Sequence, residues 1–412
     1  MISVAEALAK VLDGVAAIEG TERVSLPQTA GRTLAEPVTA SRHQPPFRAS
    51  AMDGYAVRAD DVRSGRPLHV IGESRAGHRF SGSVATDETV RIFTGAPVPD
   101  GADAILIQEN AEREGDTILP SEAVERGRYI RPEGFDFRSG DTLMDAGALI
   151  GPGEMVLLAS ANVPQVIVRA RPRVAVIATG DELVPLGDTP LPDQIIASST
   201  HGVMAILADA GADVIDCGIA TDSTEGLEAA LDRAIATDAD LVITLGGASV
   251  GDHDLVRSVF AQRSVDWAFE KVAMRPGKPL MHGRDGVRLF LGLPGNPVSS
   301  LVCALVFAVP VVAAMRGERS TLAWNEALLG ADVPANDERE EFMRVAVERR
   351  GTDWIATPFR SQDSSLTSRF ARADALLHRQ AHAPPGCCGE ACRISFLGID
   401  GPKRLRSVSD AG

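Results

Sequence analysis

The sequence predicts a multidomain α/β protein that is built around a doubly wound, mostly parallel sheet and carries smaller β-rich parts. Between Arg173 and about Gly317, runs of β-branched and apolar residues alternate with segments of helical periodicity. That alternation is typical of parallel strands joined by helical crossovers. On both sides of this segment, short β-type runs alternate with turn residues. The 412 residues exceed one ordinary domain, so about two to four units are expected.

The composition argues against several classes of protein. Hydrophobic residues make up 44% of the chain, which is enough for sizeable cores. The formal net charge of −15 argues against a general nucleic-acid surface, which needs clustered positive potential. No apolar run is expected to approach the roughly 18–20 residues that span a bilayer, and the N-terminus with Glu6 is a poor signal peptide. We therefore predict a cytoplasmic protein with no nucleic-acid and no membrane partner.

The five cysteines show no paired framework along the chain, so reduced thiols are expected. Cys387, Cys388 and Cys392 cluster near the end. A metal site there is not favoured, because no histidine or further cysteine lies at ligand spacing.

The elements outside the central segment are short. The first 40 or so residues predict a helix and then a strand at Arg23–Leu26. A small β-rich unit follows from His43 to about Gly140, with strands at His69–Ile71, Thr89–Phe93 and Ala104–Ile107. A helix at Gly153–Ser160 and a strand at Gln165–Arg169 come next. After Gly317, a small terminal barrel or sandwich is predicted from strands at Glu341–Val347, Trp354–Thr357 and Arg393–Leu397.

The central segment carries the clearest pattern. Its predicted strands are Val174–Ala178, Val214–Cys217, Leu241–Leu245 and Leu289–Leu293. Its predicted helices are Thr200–Ala210, Ser223–Ala236, Asp254–Gln262 and Val298–Ala314. Open parallel sheets bind ligands outside the carboxyl ends of their strands, so the residues that follow these strands are candidate site residues.

Acidic residues follow these strands. Asp181 and Glu182 follow the first strand and Asp222 the second, and residues 246–254 after the third read Gly-Gly-Ala-Ser-Val-Gly-Asp-His-Asp. Glycine N–H groups and a helix N-terminus can hold phosphate. Carboxylates repel phosphate unless a divalent cation lies between them, so the pattern suggests Mg²⁺. A single such acid is more often a helix cap, but three in register favour one shared site.

A rigid turn supplies positive charge. Residues 275–279 read Arg-Pro-Gly-Lys-Pro, with Lys271 before and His282 after them. Residues 289–300 read Leu-Phe-Leu-Gly-Leu-Pro-Gly-Asn-Pro-Val-Ser-Ser, which predicts a strand, an elbow and a helix start. Such a junction can hold a small oxyanion. Solvated surface charges would explain the same residues, but in an otherwise acidic chain we favour anion binding.

A set of strings, taken together, is similar to the signature of one family. They are Ser50–Val57 (Ser-Ala-Met-Asp-Gly-Tyr-Ala-Val), Phe93–Pro97, Thr179–Leu183, Gly246–Asp254, Arg275–Pro279 and Gly292–Ser299. From physics alone, a simple Asp-Gly turn explains Asp53 in the first string better than membership of a site, which is the less favoured alternative. In this order, and over nearly the whole chain, the strings resemble those of molybdopterin molybdenumtransferases. This is the MoeA type of bacteria, related to the E domain of gephyrin and of plant homologues.

The resemblance implies a domain organisation. Residues 1–44 and 138–170 would form a helical and extended domain, 45–137 a β-rich insertion, 171–317 a MogA-like sheet domain and 318–403 a C-terminal β-barrel, with a disordered tail at 404–412. It implies an elongated homodimer, whose cleft combines the sheet domain of one subunit with the insertion of the other.

The resemblance also implies a reaction. Adenylylated molybdopterin and molybdate would give molybdenum cofactor and AMP with Mg²⁺. A MogA-type adenylyltransferase and molybdoenzyme chaperones are possible protein partners.

Individual residues match positions of the family. The catalytic acids would be Asp53, Asp136, Glu182, Asp222 and Asp254, with Glu182 and Asp254 as metal ligands. The substrate positions would be Thr94, Gly246, Gly247, Ser249, Asp252, Lys271, Pro294 and Pro297. The molybdate pocket would comprise Arg275, Lys278, Pro279, Ser299, Arg344 and Ser364. Two positions depart from the family: Phe135 stands where Glu is usual, and Arg275 stands where Lys is common, which keeps the charge but changes the geometry.

Two other functions fit parts of the pattern. MogA-type adenylyltransferases of the preceding step share the sheet fold, but they lack the β-rich insertion and the terminal barrel. A non-catalytic scaffold, like gephyrin in receptor clustering, would be favoured by a lost acid set or a long linker, and the sequence has neither. Molybdate and tungstate fit equally, because both are tetrahedral dianions of nearly equal size.

Overall fold

A computed structural model describes residues 1–247, 255–318 and 321–398. These residues form two compact units. Unit 1 comprises residues 1–20 and the chain from residue 170 onward, and unit 2 comprises Thr21–Arg169.

The helices are α1 (Val4–Leu12), α2 (Ala59–Arg63), α3 (Pro152–Ser160), α4 (Ser198–Asp209), α5 (Thr224–Ile235), α6 (Leu255–Gln262), α7 (Pro297–Cys303), α8 (Val309–Met315) and α9 (Thr367–Arg372). The strands before the central sheet are β1 (Thr21–Ser25), β2 (Val38–Thr39), β3 (Ala49–Ser50), β4 (Gly54–Val57), β5 (Leu68–Ser74), β6 (Glu88–Ile92), β7 (Ala104–Ile107), β8 (Ala111–Glu114), β9 (Thr117–Pro120), β10 (Ile130–Arg131), β11 (Thr142–Met144) and β12 (Gln165–Arg169). The later strands are β13 (Arg173–Thr179), β14 (Leu183–Val184), β15 (Ile195–Ile196), β16 (Asp213–Ala220), β17 (Leu241–Leu245), β18 (Asp266–Lys271), β19 (Met274–Arg275), β20 (Pro279–Arg284), β21 (Leu289–Leu293), β22 (Asn325–Leu329), β23 (Glu340–Arg350), β24 (Asp353–Pro358), β25 (Ala375–Arg379) and β26 (Ala391–Phe396).

A six-stranded sheet in the order β16-β13-β17-β21-β20-β18 forms the centre of unit 1. The first four strands are parallel, and these are the four strands predicted for the central segment. The last two pair antiparallel and were not predicted. The mostly parallel sheet, and with it the predicted fold class, is therefore confirmed.

Helices cover both faces of this sheet. Val174 and Val176 of β13 pack in one cluster with residues of α1, α4 and the helix that begins at Pro297. Ala175 and Ile177 pack in a second cluster with residues of α5 and α6. Successive strand residues point to opposite faces, so strands that are buried on both sides read as continuous apolar runs. Helix α1 contributes Val4, Ala7 and Val11 to the first cluster, so it packs with the sheet unit, whereas the predicted organisation placed it with residues 138–170.

One long helix runs through α7, a π-helical stretch at Ala304–Ala308 and α8. The expectation that no apolar run approaches membrane-spanning length is wrong, because Pro297–Met315 has 19 residues and a hydropathy of 2.4. The predicted helix, Val298–Ala314, was shorter, since proline is well accommodated in the first turn and extends the helix at its start. By length and composition the helix could cross a membrane, but 78% of its most apolar window is buried inside the structure. Buried core helices have the same character.

The C-terminal part of unit 1 is a closed barrel. Its strands follow the order β23-β24-β22-β26-β25, and β25 pairs back with β23. Closure removes the unpaired edges that an open sheet would expose, and Val345, Ala356, Leu377 and Ile394 lie in the barrel core. The predicted alternative of a sandwich is thereby excluded. Strand β19 pairs with the start of β23 and so joins the sheet region to the barrel.

Unit 2 contains a six-stranded sheet in the order β7-β4-β6-β5-β9-β8. It has an apolar cluster on either side, one around Tyr55 and Leu106 and the other around Ala56 and Ile105. Two-stranded pairs, β1 with β12 and β2 with β11, join the beginning of the unit to its end. Unit 2 is therefore the β-rich part that the sequence predicted between residues 43 and 140, together with the extended segments that flank it.

Candidate active site

A cavity of about 700 Å³ lies in unit 1 at the carboxyl ends of the parallel strands. Residues that follow β13, β16, β17 and β21 line it, as does the start of α7. This is the position at which open α/β sheets bind their ligands. The predicted site residues in its lining are Glu182, Asp222, Gly246, Gly247, Pro279, Pro294 and Pro297.

Glycine is required where β17 ends. Gly246 has a φ of +100°, and a Cβ added to it would lie 2.6 Å from the carbonyl oxygen of Thr179. Gly247 has a φ of +69°, and an added Cβ would lie 2.3 Å from Val256 Cγ2. Both the backbone conformation and the close packing therefore exclude larger residues, which leaves this part of the cavity wall formed by main chain.

Carboxylates gather at the mouth of the cavity. The backbone N–H of Asp222 donates to Asp181 Oδ1 at 3.0 Å. Partial desolvation raises the pKa of Asp222, and the negative charges of Asp181 and Glu182 raise it further, whereas hydrogen bonding from the backbone N–H of Asp181 to the Asp222 carboxylate opposes the rise. The acids after β13 and β16 therefore share one region of negative potential, as predicted. Asp181 was not assigned a role, although it directly precedes Glu182 in the sequence.

The acidic run after β17 cannot be placed in this way. Ser249, Asp252 and Asp254 lie outside the described residues. Within residues 1–247, 255–318 and 321–398, no three His, Cys, Asp or Glu side chains are already grouped around a possible metal position. The predicted metal pair of Glu182 and Asp254 therefore stays a prediction.

The cationic turn lies between β18 and β20, against helix α7. Gly277 has a φ of +113°, and an added Cβ would lie 2.5 Å from the Sγ of Cys303. The close approach places the turn against the last residue of α7. Pro279 lines the cavity, and Lys278 beside it is exposed. Lys271 is exposed at the end of β18 and does not line the cavity.

Arg275 has counter-ions within the protein. Its Nη2 donates to Asn336 Oδ1 at 2.9 Å and to Glu341 Oε2 at 3.2 Å. Its Nη1 lies 3.7 Å from Asp337 Oδ2, whose pKa is lowered to about 2, mainly by hydrogen bonds from Arg339. The charge of Arg275 is therefore balanced. Glu341 was not predicted as a neighbour of the turn, and no local pattern indicates this contact between β19 and β23.

Arg344 is different, because it is only 1% exposed. Its Nη2 donates to the carbonyl oxygen of Asp363 at 3.2 Å, while its buried Nε has no hydrogen-bond partner. Burial lowers its pKa to about 10, although Glu341 and Asp363 oppose that shift. Among the described residues, no carboxylate lies within ion-pair distance of it. A buried cation without a paired anion is costly, so this is a site to which an anion would be attracted.

The loop after β24 joins Arg344 to the wall of the cavity. Ser364 accepts a hydrogen bond at its carbonyl oxygen from the N–H of Val298, at 3.0 Å. Val298 follows Pro297, which lines the cavity, and the neighbouring Ser299 is buried. The predicted residues Arg344, Ser364 and Ser299 therefore lie around the start of α7, next to the carboxylate-lined cavity.

The remaining predicted residues belong to unit 2. Asp53 Oδ1 accepts hydrogen bonds from Thr94, at 2.7 Å from the backbone N and 2.8 Å from Oγ1. These bonds, and then the charge of Arg91, hold the pKa of Asp53 below its usual range. Thr94 is therefore a direct hydrogen-bond partner of Asp53, a contact that the sequence did not predict. Asp136 is exposed, and its N–H donates to the carbonyl oxygen of Gln44 at 2.9 Å.

Three segments of the chain match known families. Residues 2–162 match the MoeA N-terminal region (domain I and II), residues 175–314 a probable molybdopterin binding domain, and residues 326–390 the MoeA C-terminal region (domain IV). The segments occur in the order that the sequence strings indicated. The resemblance inferred from those strings is therefore confirmed.

Named relatives and a solved structure agree with this assignment. A Haemophilus influenzae protein named molybdopterin molybdenumtransferase is 37% identical over 320 residues, which are 77% of this chain and 79% of that protein. A Bacillus subtilis protein of the same name is 33% identical over 367 residues, with coverages of 87% and 85%. The crystal structure of a molybdopterin biosynthesis MoeA protein from Pyrococcus horikoshii OT3 has a TM-score of 0.81 and 26% identity, and the match covers 96% of this chain and 100% of that one. The chain therefore belongs to the family of molybdopterin molybdenumtransferases, which are transferases of molybdenum cofactor biosynthesis.

Proposed function

We propose that the chain transfers molybdenum from molybdate to adenylylated molybdopterin, with Mg²⁺-dependent release of AMP. The observation that carries this proposal is that the carboxylate-lined cavity and the loop holding a buried guanidinium share the start of α7 in unit 1. Glu182 and Asp222 line the cavity, and the loop that holds the buried Arg344 contacts the helix that forms the cavity wall. A diphosphate with a bridging cation suits the carboxylates, and a tetrahedral oxometalate suits the buried guanidinium.

The donor set at the cavity fits Mg²⁺. Carboxylate oxygens are the hard ligands that this ion prefers. The pKa of Asp222 is raised first by desolvation and then by the negative charges of Asp181 and Glu182, which a dication would balance. We take Glu182 and Asp254 as the ligands, with Asp222 beside them. When bound, Mg²⁺ would neutralise charge on the diphosphate as the bond to AMP breaks.

The protein's own groups bind and orient the two substrates. Arg344 stays protonated at neutral pH, because its pKa of about 10 is still well above 7. Its guanidinium can donate to an oxygen of molybdate, and low dielectric strengthens that contact. Lys278 adds positive charge from the turn, and the N-terminus of α7 adds backbone dipole beside Ser299. The N–H groups around Gly246 and Gly247 would face the phosphates.

The acids of unit 2 enter the proposal through a second copy of the chain. We place Asp53 and Asp136 of that copy at the cavity of the first, in a homodimer. Asp53 stays ionised at physiological pH, because the hydrogen bonds from Thr94 stabilise its charged form. An ionised carboxylate can accept a hydrogen bond from an attacking hydroxyl or water and so orient the nucleophile.

The test is a reconstituted transfer reaction. The chain is incubated with adenylylated molybdopterin, Mg²⁺ and molybdate, and both AMP release and the activation of an apo-molybdoenzyme are followed. We expect both to need all three additions, and Glu182→Gln to suppress AMP release strongly. Glu225→Gln, at an exposed position in the first turn of α5, is the matched control and should behave as the wild type.

Two results would contradict the proposal. One is undiminished AMP release by Glu182→Gln, and the other is AMP release that does not depend on molybdate. Formation of the adenylylated compound from molybdopterin and ATP would instead identify the adenylyltransferase of the preceding step.

A further inference from the structure

Gln362 occupies the position where strand pairing stops beside Arg344. The pairing between β23 and β24 reaches Val345 opposite Pro358, and β24 ends there. One further backbone hydrogen bond follows, from the N–H of Phe359 to the carbonyl oxygen of Arg344, at 3.2 Å. The next donor in the ladder is the N–H of Arg344, and no strand residue remains to accept from it on that side.

The side-chain amide of Gln362 takes the place of the missing peptide. Its Oε1 accepts from the N–H of Arg344 at 2.8 Å, and its Nε2 donates to the carbonyl oxygen of Arg344 at 3.0 Å. Nε2 also donates to the carbonyl oxygen of Phe359 at 3.0 Å. A carboxamide carries a donor and an acceptor in one plane, as a peptide group does. Glutamate in its place would have no donor for either carbonyl, and an aliphatic residue would satisfy none of these groups.

The same loop fixes the charged end of Arg344. The residue after Gln362 is Asp363, whose carbonyl oxygen accepts from Arg344 Nη2 at 3.2 Å. The residue after that is Ser364, whose carbonyl oxygen accepts from the N–H of Val298 at the start of α7. The loop therefore holds the arginine at both ends, at its backbone through Gln362 and at its guanidinium through Asp363.

We propose that Gln362 is a positioning residue of the oxyanion site, acting through Arg344 and Ser364. It sets the depth and direction of the buried guanidinium relative to the N-terminus of α7, so that a tetrahedral dianion meets both at once. This inference rests on the proposed function, in which Arg344 binds molybdate. It assigns a role to a residue whose bonds all go to main chain and which carries no charge of its own.

The test compares the two substrates separately. Gln362→Met removes the amide at similar volume, and Gln362→Glu keeps only the acceptor. Each is assayed for AMP release, first as molybdate is varied and then as adenylylated molybdopterin is varied. We expect the half-saturating molybdate concentration to rise on the order of tenfold to a hundredfold, the range found when groups that orient a ligating residue are removed. The half-saturating concentration of the pterin substrate should stay within about twofold of the wild type. Gln380→Met, at an exposed position after β25, is the control and should change neither.

Several results separate the possible failures. An equal rise in both half-saturating concentrations, or a fall in turnover alone, would mean that Gln362 is merely structural and would overturn the inference. If Gln362→Met does not fold, the molybdate dependence of Gln362→Glu tests the inference, because its carboxylate can still accept the hydrogen bond from the N–H of Arg344. Arg344→Met is measured in the same assay. Should it leave the molybdate dependence unchanged, the proposed oxyanion site itself fails. If Arg344→Met changes the molybdate dependence of AMP release but the Gln362 variants do not, only the positioning role of Gln362 is contradicted.

Discussion

Replacing Arg344 by methionine is expected to stabilise the protein and at the same time remove its response to molybdate. Burial lowers the pKa of Arg344 to about 10, which is about 2.5 below the value of an ordinary arginine, and a pKa difference of one corresponds to about 1.4 kcal/mol. The charged side chain therefore destabilises the fold by roughly 3 kcal/mol. Methionine fills a similar length without that charge. It loses the hydrogen bond to Asp363, which contributes about 1.5 kcal/mol or more. A net gain of roughly 1–2 kcal/mol in the free energy of unfolding remains.

Excess molybdate should make the wild type more stable than Arg344→Met. A ligand that binds only the folded state stabilises it by about 2.7 kcal/mol at a hundred times its dissociation constant. Wild type should therefore gain that amount from excess molybdate, and Arg344→Met should gain nothing.

The assay is urea unfolding of both proteins, with and without molybdate. Arg360→Met is the control, because Arg360 is an exposed arginine of the same loop. Its substitution should change stability by no more than about 0.5 kcal/mol. The reasoning is refuted if Arg344→Met is less stable than wild type without molybdate, or if molybdate stabilises both equally.

Three further outcomes are expected. Burial lowers the pKa of His282 to about 4, so the unfolded chain takes up a proton between about pH 6.5 and 4 that the folded chain does not. Stability should fall by about 3 kcal/mol over that range, and urea midpoints of His282→Leu should show a flatter pH dependence. Asp222→Asn should raise the unfolding midpoint without Mg²⁺ and weaken Mg²⁺ binding in calorimetric titration, because it removes a partly desolvated carboxylate that Asp181 and Glu182 repel. Gly277→Ala should destabilise by roughly 1–3 kcal/mol, because its Cβ would lie 2.5 Å from Cys303 Sγ at a φ of +113°. The double variant with Cys303→Ala should recover only the part due to that contact, as measured by thermal unfolding.

The parallel strands could be predicted because their burial leaves a local signature. Strand β17 is buried at every position and is followed by Gly246 and Gly247, so an apolar run ends where the backbone must turn. Because the ends of parallel strands share one edge of a sheet, the acids that follow β13 and β16 could be assigned to one cavity. Strands β18 and β20 gave no such signal. Residues of β18 alternate irregularly between buried and exposed, and the register between β18 and β20 shifts twice.

The role of a residue that bonds only to the main chain could not be predicted from the sequence. Gln362 bonds only to backbone groups of Arg344 and Phe359, and a backbone group has no side-chain identity that a sequence motif could match.

Helix α1 was predictable as a helix from its apolar face. Its partners, however, lie beyond residue 170, and nothing local to α1 indicates which of several cores will bury that face.

The two arginines of the predicted molybdate pocket differ in their ion pairs, and we therefore expect them to have different roles. Arg275 lies on β19, which pairs with β23. Its guanidinium donates a hydrogen bond to Glu341, a residue of β23. Its charge is thus used to join the sheet region to the barrel. Arg344 lies three residues further along β23, faces no ion-pair partner among the described residues, and keeps a buried Nε unsatisfied. An incoming dianion has to compete with the hydrogen bond and ion pair between Glu341 and Arg275. At Arg344, Glu341 and Asp363 exert electrostatic attraction, but among the described residues neither forms an ion pair with it. Electrostatic attraction to molybdate should therefore depend mainly on Arg344 and Lys278. Arg275→Lys keeps the charge but loses the planar two-point contact. It should therefore lower the free energy of unfolding by more than the free-energy equivalent of any rise in the half-saturating molybdate concentration.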